Sequence, residues 1–287
     1  MAYTRRSYSS EDGKLFEVKE AYRTIRTNLM FSVAKAGCKV VVFSSAIQGE
    51  GKTTTAANVA FSIARNNNRV LLIDMDLRRP RVHRLLKLSS VPGLTNFLGG
   101  FNSIEEVLHR GVYPNLDVIC AGTIPPNPSE LVASANMATF LTELQKGYDF
   151  IIIDSPPVGV VSDALPLLSL VDGMVLVVRS RFTNHKELKK VIDQVNFIHG
   201  KILGVVMNGV QDEKRGSGYR KGYYRRYGYG YGYGYGSYKA AAAQQRDALK
   251  SMEAAKAEAA KKRAAEAGSS GSAEKNPTEA SPSPKNQ

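Results

Sequence analysis

The sequence predicts an α/β domain whose sheet is mostly parallel and is covered by helices on both faces. Two observations support this fold class. First, five short apolar runs occur between residues 39 and 210, namely KVVVF, RVLLIDMD, DFIIID, GMVLVV and KILGVVM. Second, segments with helical character lie between them, and strands of about six residues that alternate with longer helices indicate βαβ units. From residue 211 onward such apolar runs are absent, so we expect one domain followed by an extension.

The domain is expected to occupy residues 14–210, after a flexible N-terminus over 1–13. Its first element is a predicted helix over 14–36, in which apolar residues recur at spacings of three to five. A strand, a Gly-rich turn and a helix follow, and then a second strand. Further along, ELVASANMATFLTELQKG predicts one helix that ends at Gly147, and SDALPLLSL and NHKELKKVIDQVNFIHG continue the alternation. The apolar residues of the first helix are Phe16, Ala21, Ile25, Leu29 and Val33.

The extension divides into three parts by composition. Residues 211–238 form a polar linker and a tyrosine cluster, in which YYRRYGYGYGYGYGSY places eight tyrosines in sixteen residues. Residues 239–267 are rich in Ala, Lys and Glu and predict a solvated helix or a weak coiled coil. Residues 268–287 are of low complexity and predict disorder.

Composition restricts the cell compartment and the partners. The formal net charge is +13, of which the segment 211–287 contributes seven, so a mildly basic domain carries a basic tail. That distribution is weak evidence for a nucleic-acid groove, and we expect no dedicated nucleic-acid partner. Cys38 and Cys120 form no disulfide framework and indicate a reducing compartment. The N-terminus lacks an apolar h-region and no run approaches the ~20 residues of a membrane span, so we expect a cytoplasmic chain.

The run AIQGEGKT, from Ala46 to Thr53, predicts a phosphate site between a strand and a helix. Glycines at positions 49 and 51 let successive backbone N–H groups converge on phosphate oxygens. Lys52 supplies a charge for the β- and γ-phosphates, and the Thr53 hydroxyl is a Mg²⁺ ligand. Ala46 stands where the usual pattern has its first glycine, but a tight turn alone would explain neither Lys52 nor Thr53. The predicted nucleotide-binding residues are Gln48, Gly49, Glu50, Gly51, Lys52, Thr53 and Thr54.

Three aspartates lie at predicted strand ends. DFIIID ends in Asp154, and LLIDMD ends in Asp74 and Asp76, whose i, i+2 spacing places them on one side of a strand. Since ligands bind at the carboxyl ends of strands in α/β sheets, we expect these acids to converge on the phosphate site. The alternative for Asp74 and Asp76 is capping of the helix that follows. Two carboxylates beside a nucleotide are costly unless a metal or a proton transfer uses them.

The order AIQGEGKT, LLIDMDLRRP, DFIIIDSPP resembles the bacterial tyrosine kinases (BY-kinases) that regulate capsule and exopolysaccharide synthesis. The resemblance covers about residues 14–238 and implies a P-loop NTPase fold with ATP and Mg²⁺ as cofactors. It implies catalytic roles for Lys52, Asp74, Asp76 and Asp154 and metal contacts from Thr53, Asp76 and Asp154. Asp74 would activate the incoming phenol. Family members commonly carry proline where Gln48 stands, which loosens the match without removing a ligand.

The same resemblance extends to the first helix. Glu20, Arg23 and Arg26 fit the pattern E-x-x-R-x-x-R, which in this family joins neighbouring subunits into a ring. Their spacing makes a continuous charged ridge along a helix. The alternative is a set of intrahelical ion pairs, each contributing a few tenths of a kcal/mol. With the other motifs present, we predict oligomerisation.

The tyrosine cluster completes the resemblance, because family members phosphorylate such a cluster between subunits. In the split form found in Gram-positive bacteria, a transmembrane adaptor activates a separate kinase chain and recruits it to the membrane. We therefore expect an adaptor, a cognate tyrosine phosphatase and phosphorylation in trans. The predicted acceptors are Tyr219, Tyr223, Tyr224, Tyr227, Tyr229, Tyr231, Tyr233, Tyr235 and Tyr238.

Two other functions are compatible with parts of the sequence. A partitioning-type P-loop ATPase would typically carry a lysine early in the loop, where this chain has Ile47. An Arg/Tyr/Gly tail can stack on RNA bases or self-associate, with Arg225 and Arg226 contributing. The first lacks its lysine, and the second leaves the phosphate site unexplained.

Overall fold

The computed structural model of the protein describes residues 10–210, with side chains from residue 16 onward. Seven strands of this part form one sheet in the order β3-β4-β2-β5-β1-β6-β7. All neighbouring strands are parallel except β3 and β4, which confirms the predicted mostly parallel sheet. The strands are β1 (Lys39–Ser45), β2 (Val70–Asp74), β3 (Leu108–Tyr113), β4 (Leu116–Ile119), β5 (Phe150–Asp154), β6 (Gly173–Arg179) and β7 (Ile202–Asn208).

Helices cover both faces of this sheet, as predicted. The side chains of α1 and α2 pack in one buried cluster with Phe43 and Ile152, and those of α7 and α8 pack in a second cluster with Val42 and Ile151. The helices are α1 (Ser10–Ser32), α2 (Lys52–Ala64), α3 (Val82–Leu86), α4 (Leu94–Leu98), α5 (Ile104–Val107), α6 (Pro128–Val132), α7 (Ala135–Gln145) and α8 (His185–Phe197), with a short 3₁₀ helix at Pro166–Ser169.

The central strands explain why the carboxyl edge of the sheet is a rigid platform. Strands β2 and β5 are fully buried over their whole length, and their Val, Ile and Leu side chains pack on both faces. Such continuous apolar runs are typical of parallel strands between two helical layers. Asp74 and Asp154 are directly paired at the ends of these two strands.

The antiparallel pair β3–β4 was not predicted from the sequence. Strand β3 contains Gly111 and is half exposed, and β4 has only four residues and includes Asp117. Asp117 accepts hydrogen bonds from the Gly111 amide (2.7 Å) and from the Tyr148 hydroxyl (2.7 Å). The first contact lies within the hairpin and the second joins residues 31 positions apart, and neither strand has enough alternating apolar residues to predict the pair.

Several helix boundaries differ from the prediction. The helix expected up to Gly147 is two helices, because the Ser134 side chain accepts a hydrogen bond from the Met137 amide and begins α7 anew. In SDALPLLSL, only Pro166–Ser169 forms a 3₁₀ helix. The first helix ends at Ser32 and not at residue 36, and Phe16 and Ala21 are exposed although they were expected on its packed side.

The predicted extension lies outside the described residues. This applies to the linker and tyrosine cluster (211–238), the helix over 239–267 and the segment 268–287, and to residues 1–9 of the N-terminus. The domain boundaries stay predictions. No helix within residues 10–210 has the length and apolar character needed to cross a membrane.

Candidate active site

The loop between β1 and α2 has the shape expected of a phosphate cradle. Gly49 and Gly51 have φ values of +84° and +90°, in the left-handed region that favours glycine. Gly51 is the N-cap of α2, which begins at Lys52. The unpaired N–H groups of the first helical turn therefore open onto the loop, and an anion is favoured there.

Lys52 lies between two of the predicted aspartates. Its Nζ is 2.7 Å from Oδ2 of Asp76 and 3.5 Å from Oδ1 of Asp154. Burial alone would lower the pKa of Lys52, but the charges of Asp154 and Asp76 more than offset it and raise the pKa above its usual value. The ammonium is therefore charged at neutral pH.

Asp154 is the least satisfied polar group of this site. It is completely buried, and within residues 10–210 neither of its carboxylate oxygens accepts a hydrogen bond of normal geometry. Burial raises the pKa of this carboxyl, although the charge of Lys52 opposes the shift. A buried carboxylate that has an ion pair at 3.5 Å but lacks a hydrogen bond of normal geometry is uncommon in folded proteins and calls for a ligand, an ion or a water.

Asp74 is held by the backbone of the loop that follows it. Its Oδ2 accepts hydrogen bonds from the amides of Arg81 (3.0 Å) and Val82 (2.9 Å), and its Oδ1 accepts one from Asp76 (3.2 Å). These two amides lie at the start of α3. Asp74 therefore makes the helix-capping contacts that were considered as its alternative role. Burial, and next the charge of Asp154, raise the pKa of Asp74 to about 7.

Asp76 does not lie on the strand, as its spacing from Asp74 suggested. Strand β2 ends at Asp74, and the chain turns there so that the Asp76 amide reaches back to the Asp74 carboxylate. Asp76 Oδ1 accepts a hydrogen bond from the Arg79 amide (3.0 Å), which leaves Oδ2 directed at Lys52. A turn, and not strand periodicity, brings these carboxylates to one side.

The side chain of Glu50 turns inward from the phosphate loop. It is 1% exposed, and it accepts hydrogen bonds from the Ile47 amide (2.8 Å) and from the Thr183 hydroxyl. Thr183 also accepts one from the Arg179 amide (2.7 Å). In this conformation the Glu50 side chain supports the loop from inside the protein. Because its carboxylate is buried in these contacts, the backbone of Glu50 is the part that faces a nucleotide site.

Asn208, at the end of β7, also supports the loop and was missed from the sequence. Its Nδ2 donates to the carbonyl of Glu50 (2.9 Å) and lies 2.9 Å from Oγ1 of Thr55. A Cβ built at Gly51 would lie 2.6 Å from this nitrogen, so the loop and the asparagine fit closely. The available signal was a polar residue ending the apolar run KILGVVMN at the carboxyl edge of the sheet.

Asp163 connects the loop after β2 to helix α6. Arg78 donates two hydrogen bonds to its carboxylate (2.6 and 3.1 Å), and Ser129 donates a third (2.6 Å). The exposed Arg79 donates to Gln48 Oε1 (2.7 Å) at the mouth of the phosphate loop. Asp163 was not singled out from the sequence, where only its place shortly after DFIIID could have indicated it.

The predicted oligomerisation ridge lies on α1. Glu20 and Arg23 form an intrahelical ion pair at 3.5 Å, which is the alternative considered for this motif. Arg26 donates to the Ser62 carbonyl of α2 (3.0 Å), within the same chain. The prediction of a subunit contact by these residues stays a prediction.

Comparison with known proteins shows the family of this chain. A model of the AAA domain family matches residues 24–204. The chain is 42% identical over 205 residues to tyrosine-protein kinase YwqD of Bacillus subtilis (strain 168), covering 71% of this chain and 85% of that protein. The chain belongs to the bacterial tyrosine kinases.

Other bacterial tyrosine kinases give the same result. The putative tyrosine-protein kinase CapB of Staphylococcus aureus is 36% identical over 211 residues, covering 74% of this chain and 90% of that protein. The solved kinase domain of Escherichia coli tyrosine kinase ETK superposes with a TM-score of 0.67 at 31% identity, covering 78% of this chain and 89% of that one. The protein is therefore a tyrosine kinase with a P-loop NTPase fold. The septum site-determining protein MinD of Pyrococcus horikoshii OT3, solved with Mg-ADP, is 22% identical with a TM-score of 0.51, covering 59% of this chain and 70% of that one, and it supports the fold alone.

The residues of this tyrosine kinase fit a nucleotide with its metal. The loop amides and Lys52 offer positive groups for phosphates, and the incompletely hydrogen-bonded oxygens of Asp154 offer an acceptor for metal-bound water. Among residues 10–210 no group of three His, Cys, Asp or Glu side chains could hold a metal by itself. The predicted acceptor tyrosines lie outside the described residues.

Proposed function

We propose that this kinase transfers the γ-phosphoryl group of ATP to its own tyrosine cluster, in trans, and thereby regulates capsule or exopolysaccharide synthesis. The acceptors are the nine tyrosines from Tyr219 to Tyr238. The observation that carries this proposal is the contact between the end of β7 and the phosphate loop. Asn208 contacts the phosphate loop, and the segment 211–238 follows it after two residues.

The reach of this segment permits transfer between subunits. From Gln211 to Tyr238 a fully extended chain spans roughly 90 Å, and a flexible coil about 30 Å. Either distance allows a tyrosine to enter the site of a neighbouring subunit. Tyrosines separated by single glycines are accessible to such a site, because glycine adds no side chain beside the phenol.

In the proposed reaction the phenol oxygen attacks the γ-phosphorus, the bond to the ADP oxygen breaks, and the phenol proton passes to a carboxylate. Such transfer depends mainly on alignment and charge neutralisation. Lys52 neutralises the β- and γ-phosphates once the nucleotide replaces its contact with Asp76. Asp74 accepts the proton, and its pKa of about 7 suits proton transfer at neutral pH. Asp74 also accepts hydrogen bonds from the amides of Arg81 and Val82. This role therefore requires the loop after β2 to move when the substrate binds.

The proposed Mg²⁺ would be held by Thr53 and Asp76, and by Asp154 through water. When bound, it would supply positive charge that offsets the negative charge of the phosphates. The chain itself contributes the fixed positions of these ligands. Asp154 is fixed by the buried strand β5, and Asp76 by the turn that Asp74 and Arg79 hold.

Mass spectrometry of residues 211–240 after incubation with ATP and Mg²⁺ tests the proposal. The wild-type chain should carry several phosphotyrosines there. Lys52→Met should carry none, while Lys146→Met, a change at an exposed lysine outside the site, should behave as wild type. Phosphotyrosine retained in a folded Lys52→Met protein would refute the assignment of this site.

A mixing experiment distinguishes transfer in trans from transfer in cis. The Lys52→Met chain is mixed with an active chain whose nine acceptor tyrosines are replaced by phenylalanine. Label on the Lys52→Met chain is the expected result. Its absence, with normal activity of the wild type, would mean that each chain modifies only itself.

We further propose that the kinase forms a ring through Glu20, Arg23 and Arg26 and works with a membrane adaptor and a phosphatase. One solved chain of similar fold, at 36% identity and TM-score 0.63, is named a chimerical protein CapA2B2, covering 66% of this chain and 83% of that one.

Each phosphotyrosine adds about −1.5 to −2 charges, so four or five would invert the sign of a tail with a surplus of seven positive charges. The modified tails should repel one another and open the ring. A ring that persists in light scattering at full phosphorylation would contradict this.

A further inference from the structure

A groove of about 440 Å³ lies between the C-terminal half of α1 and strand β7. Ile25 and Phe31 line it from α1, and Leu203 and Val206 line it from β7. Phe31 is 79% exposed although it is a large aromatic side chain. None of the lining residues carries a charge, so the groove is suited to an uncharged and largely apolar occupant.

The same strand leaves its outer edge open. Strand β7 is the last strand of the sheet, and no other strand within residues 10–210 pairs with its outer side. Val205 and Met207 are 50% and 60% exposed. An edge strand presents unpaired N–H and C=O groups and accepts an added strand, and adjacent pockets then select the side chains of the added strand.

We propose that residues 227–231 of the same chain add to this edge as an antiparallel strand and place tyrosine rings in the groove. Their sequence, YGYGY, alternates with a period of two, so a strand conformation puts all three tyrosines on one face. Five residues span about 17 Å as a strand, which fits within the roughly 23 Å of the seven-residue β7. The glycines fall on the opposite face, where no groove has to be filled.

The groove also provides partners for the phenol hydroxyls. Asn28 and Ser32 lie among its lining residues and offer polar groups at an otherwise apolar wall. Tyrosine prefers sites of this kind, with an apolar body and one polar contact. The alternation of tyrosine and glycine thus matches the groove in side-chain period, ring character and charge.

Attachment to the same chain favours this occupant over a second copy. Gly209, with φ of +66°, turns the chain directly after β7. Eighteen residues, 209–226, then separate Asn208 from Tyr227, and a flexible chain of that length has a typical span of about 23 Å. A tether this short gives an effective concentration in the millimolar range, above that of separate chains in dilute solution.

Docking would store the acceptor tyrosines away from the phosphate loop, and this part of the inference rests on the proposed function. The groove lies beside Leu203 and Val206, whereas the loop lies at the Asn208 end of β7. A phosphorylated tyrosine brings about −1.5 to −2 charges into a groove lined by uncharged residues, and Lys201, which donates to the Ser32 carbonyl (3.3 Å), offers one positive charge beside it. Phosphorylation should therefore release the segment and keep it from returning.

Amide hydrogen exchange of the full-length chain without nucleotide tests the docking itself. The wild type is compared with a chain in which Tyr227, Tyr229 and Tyr231 are replaced by serine. If the segment docks, amides of β7 should exchange at least tenfold faster in the serine variant. Equal exchange of β7 in the two chains would overturn the proposal.

A matched pair of phenylalanine variants identifies the surface. Phe31→Glu places a charge in the groove, and Phe101→Glu places one at an equally exposed phenylalanine outside it, with exposures of 79% and 81%. Faster exchange of β7 in Phe31→Glu alone supports the groove as the docking site. The same exchange in both variants would refute it.

Two further measurements separate other occupants and the kinase proposal. Protection of β7 that is unchanged on dilution supports docking within one chain, whereas protection lost on dilution would mean a second copy and would overturn the proposal. Addition of MgATP should then remove the protection as phosphotyrosine appears. If no phosphotyrosine forms, the proposed function fails while the nucleotide-free result stands. If phosphotyrosine forms and protection persists, the release step is refuted.

Discussion

Replacement of Gly51 by alanine tests the fit between the phosphate loop and the end of β7. The residue has φ of +90°, and its added Cβ would lie 2.6 Å from Nδ2 of Asn208. The asparagine would have to swing away and would lose its contacts with the Glu50 carbonyl and with Thr55. Two separate costs, backbone strain and lost hydrogen bonds, are therefore combined in one substitution.

The magnitudes follow from these contacts. A left-handed backbone destabilises an L-residue by about 1–2 kcal/mol. Alanine also restricts the unfolded chain more than glycine does, which offsets part of this loss, so the net destabilisation from strain is about 1 kcal/mol. Loss of two hydrogen bonds contributes about 2 kcal/mol more. Gly51→Ala should thus lower the free energy of unfolding by about 3 kcal/mol, and Asn208→Ala by about 2 kcal/mol. The double variant should also lose about 3 kcal/mol and not 5, because the hydrogen bonds can be lost only once.

Urea unfolding of the wild type, the two single variants and the double variant measures this coupling of about 2 kcal/mol. Gly100→Ala is the control, since Gly100 has φ of +76° and no atom within 4 Å of an added Cβ. It should lose only about 1 kcal/mol from strain. If the effects of Gly51→Ala and Asn208→Ala add fully, Asn208 does not support the loop and the reasoning is refuted.

Three further predictions concern residues away from the phosphate loop. Burial raises the pKa of Cys38 to about 11 and that of Cys120 to about 12, so neither thiol should react with a thiol reagent at pH 8 until the protein unfolds; rapid reaction of the folded protein would contradict this. Ser134→Ala removes the cap that begins α7 and should cost about 1 kcal/mol in urea unfolding, against no change for an exposed Ser→Ala elsewhere. Although burial alone would raise the pKa of Asp163, hydrogen bonds from Arg78 and Ser129 lower it below its ordinary 3.8. A lowered pKa stabilises the fold above pH 3.8 and loses this effect as the pH falls further, so the stability difference between wild type and Asp163→Asn should shrink below pH 4; a constant difference would contradict it.

The fold was largely predictable because its central strands are encoded locally. Strands β1, β2, β5, β6 and β7 are continuous apolar runs, and burial on both faces requires such runs. The pair β3–β4 was not predictable, because it is short and half exposed and because Asp117 is also held by Tyr148, 31 residues away. Local pattern is informative where burial alone determines the structure.

The candidate site was predictable only where residue type and position coincide in one motif. Gly49, Gly51 and Lys52 were identified because their chemistry is needed within one turn. Asn208 and Asp163 were missed, because their importance comes from hydrogen bonds to residues that are 158 and 85 positions away. The backbone contacts of Asp74 were anticipated only as an alternative, since the turn after β2 cannot be deduced from strand spacing.

The contact between Asn208 and the Glu50 carbonyl has a consequence for biosynthesis. The phosphate loop is made early, but the side chain that supports it belongs to the last strand of the described domain. A ribosome-bound chain therefore lacks this support until residue 208 has left the exit tunnel. Contacts between residues so far apart in sequence also form slowly. A nascent kinase should thus acquire its mature nucleotide affinity only after residue 208 has emerged from the ribosome, when synthesis has already passed into the tyrosine cluster that follows.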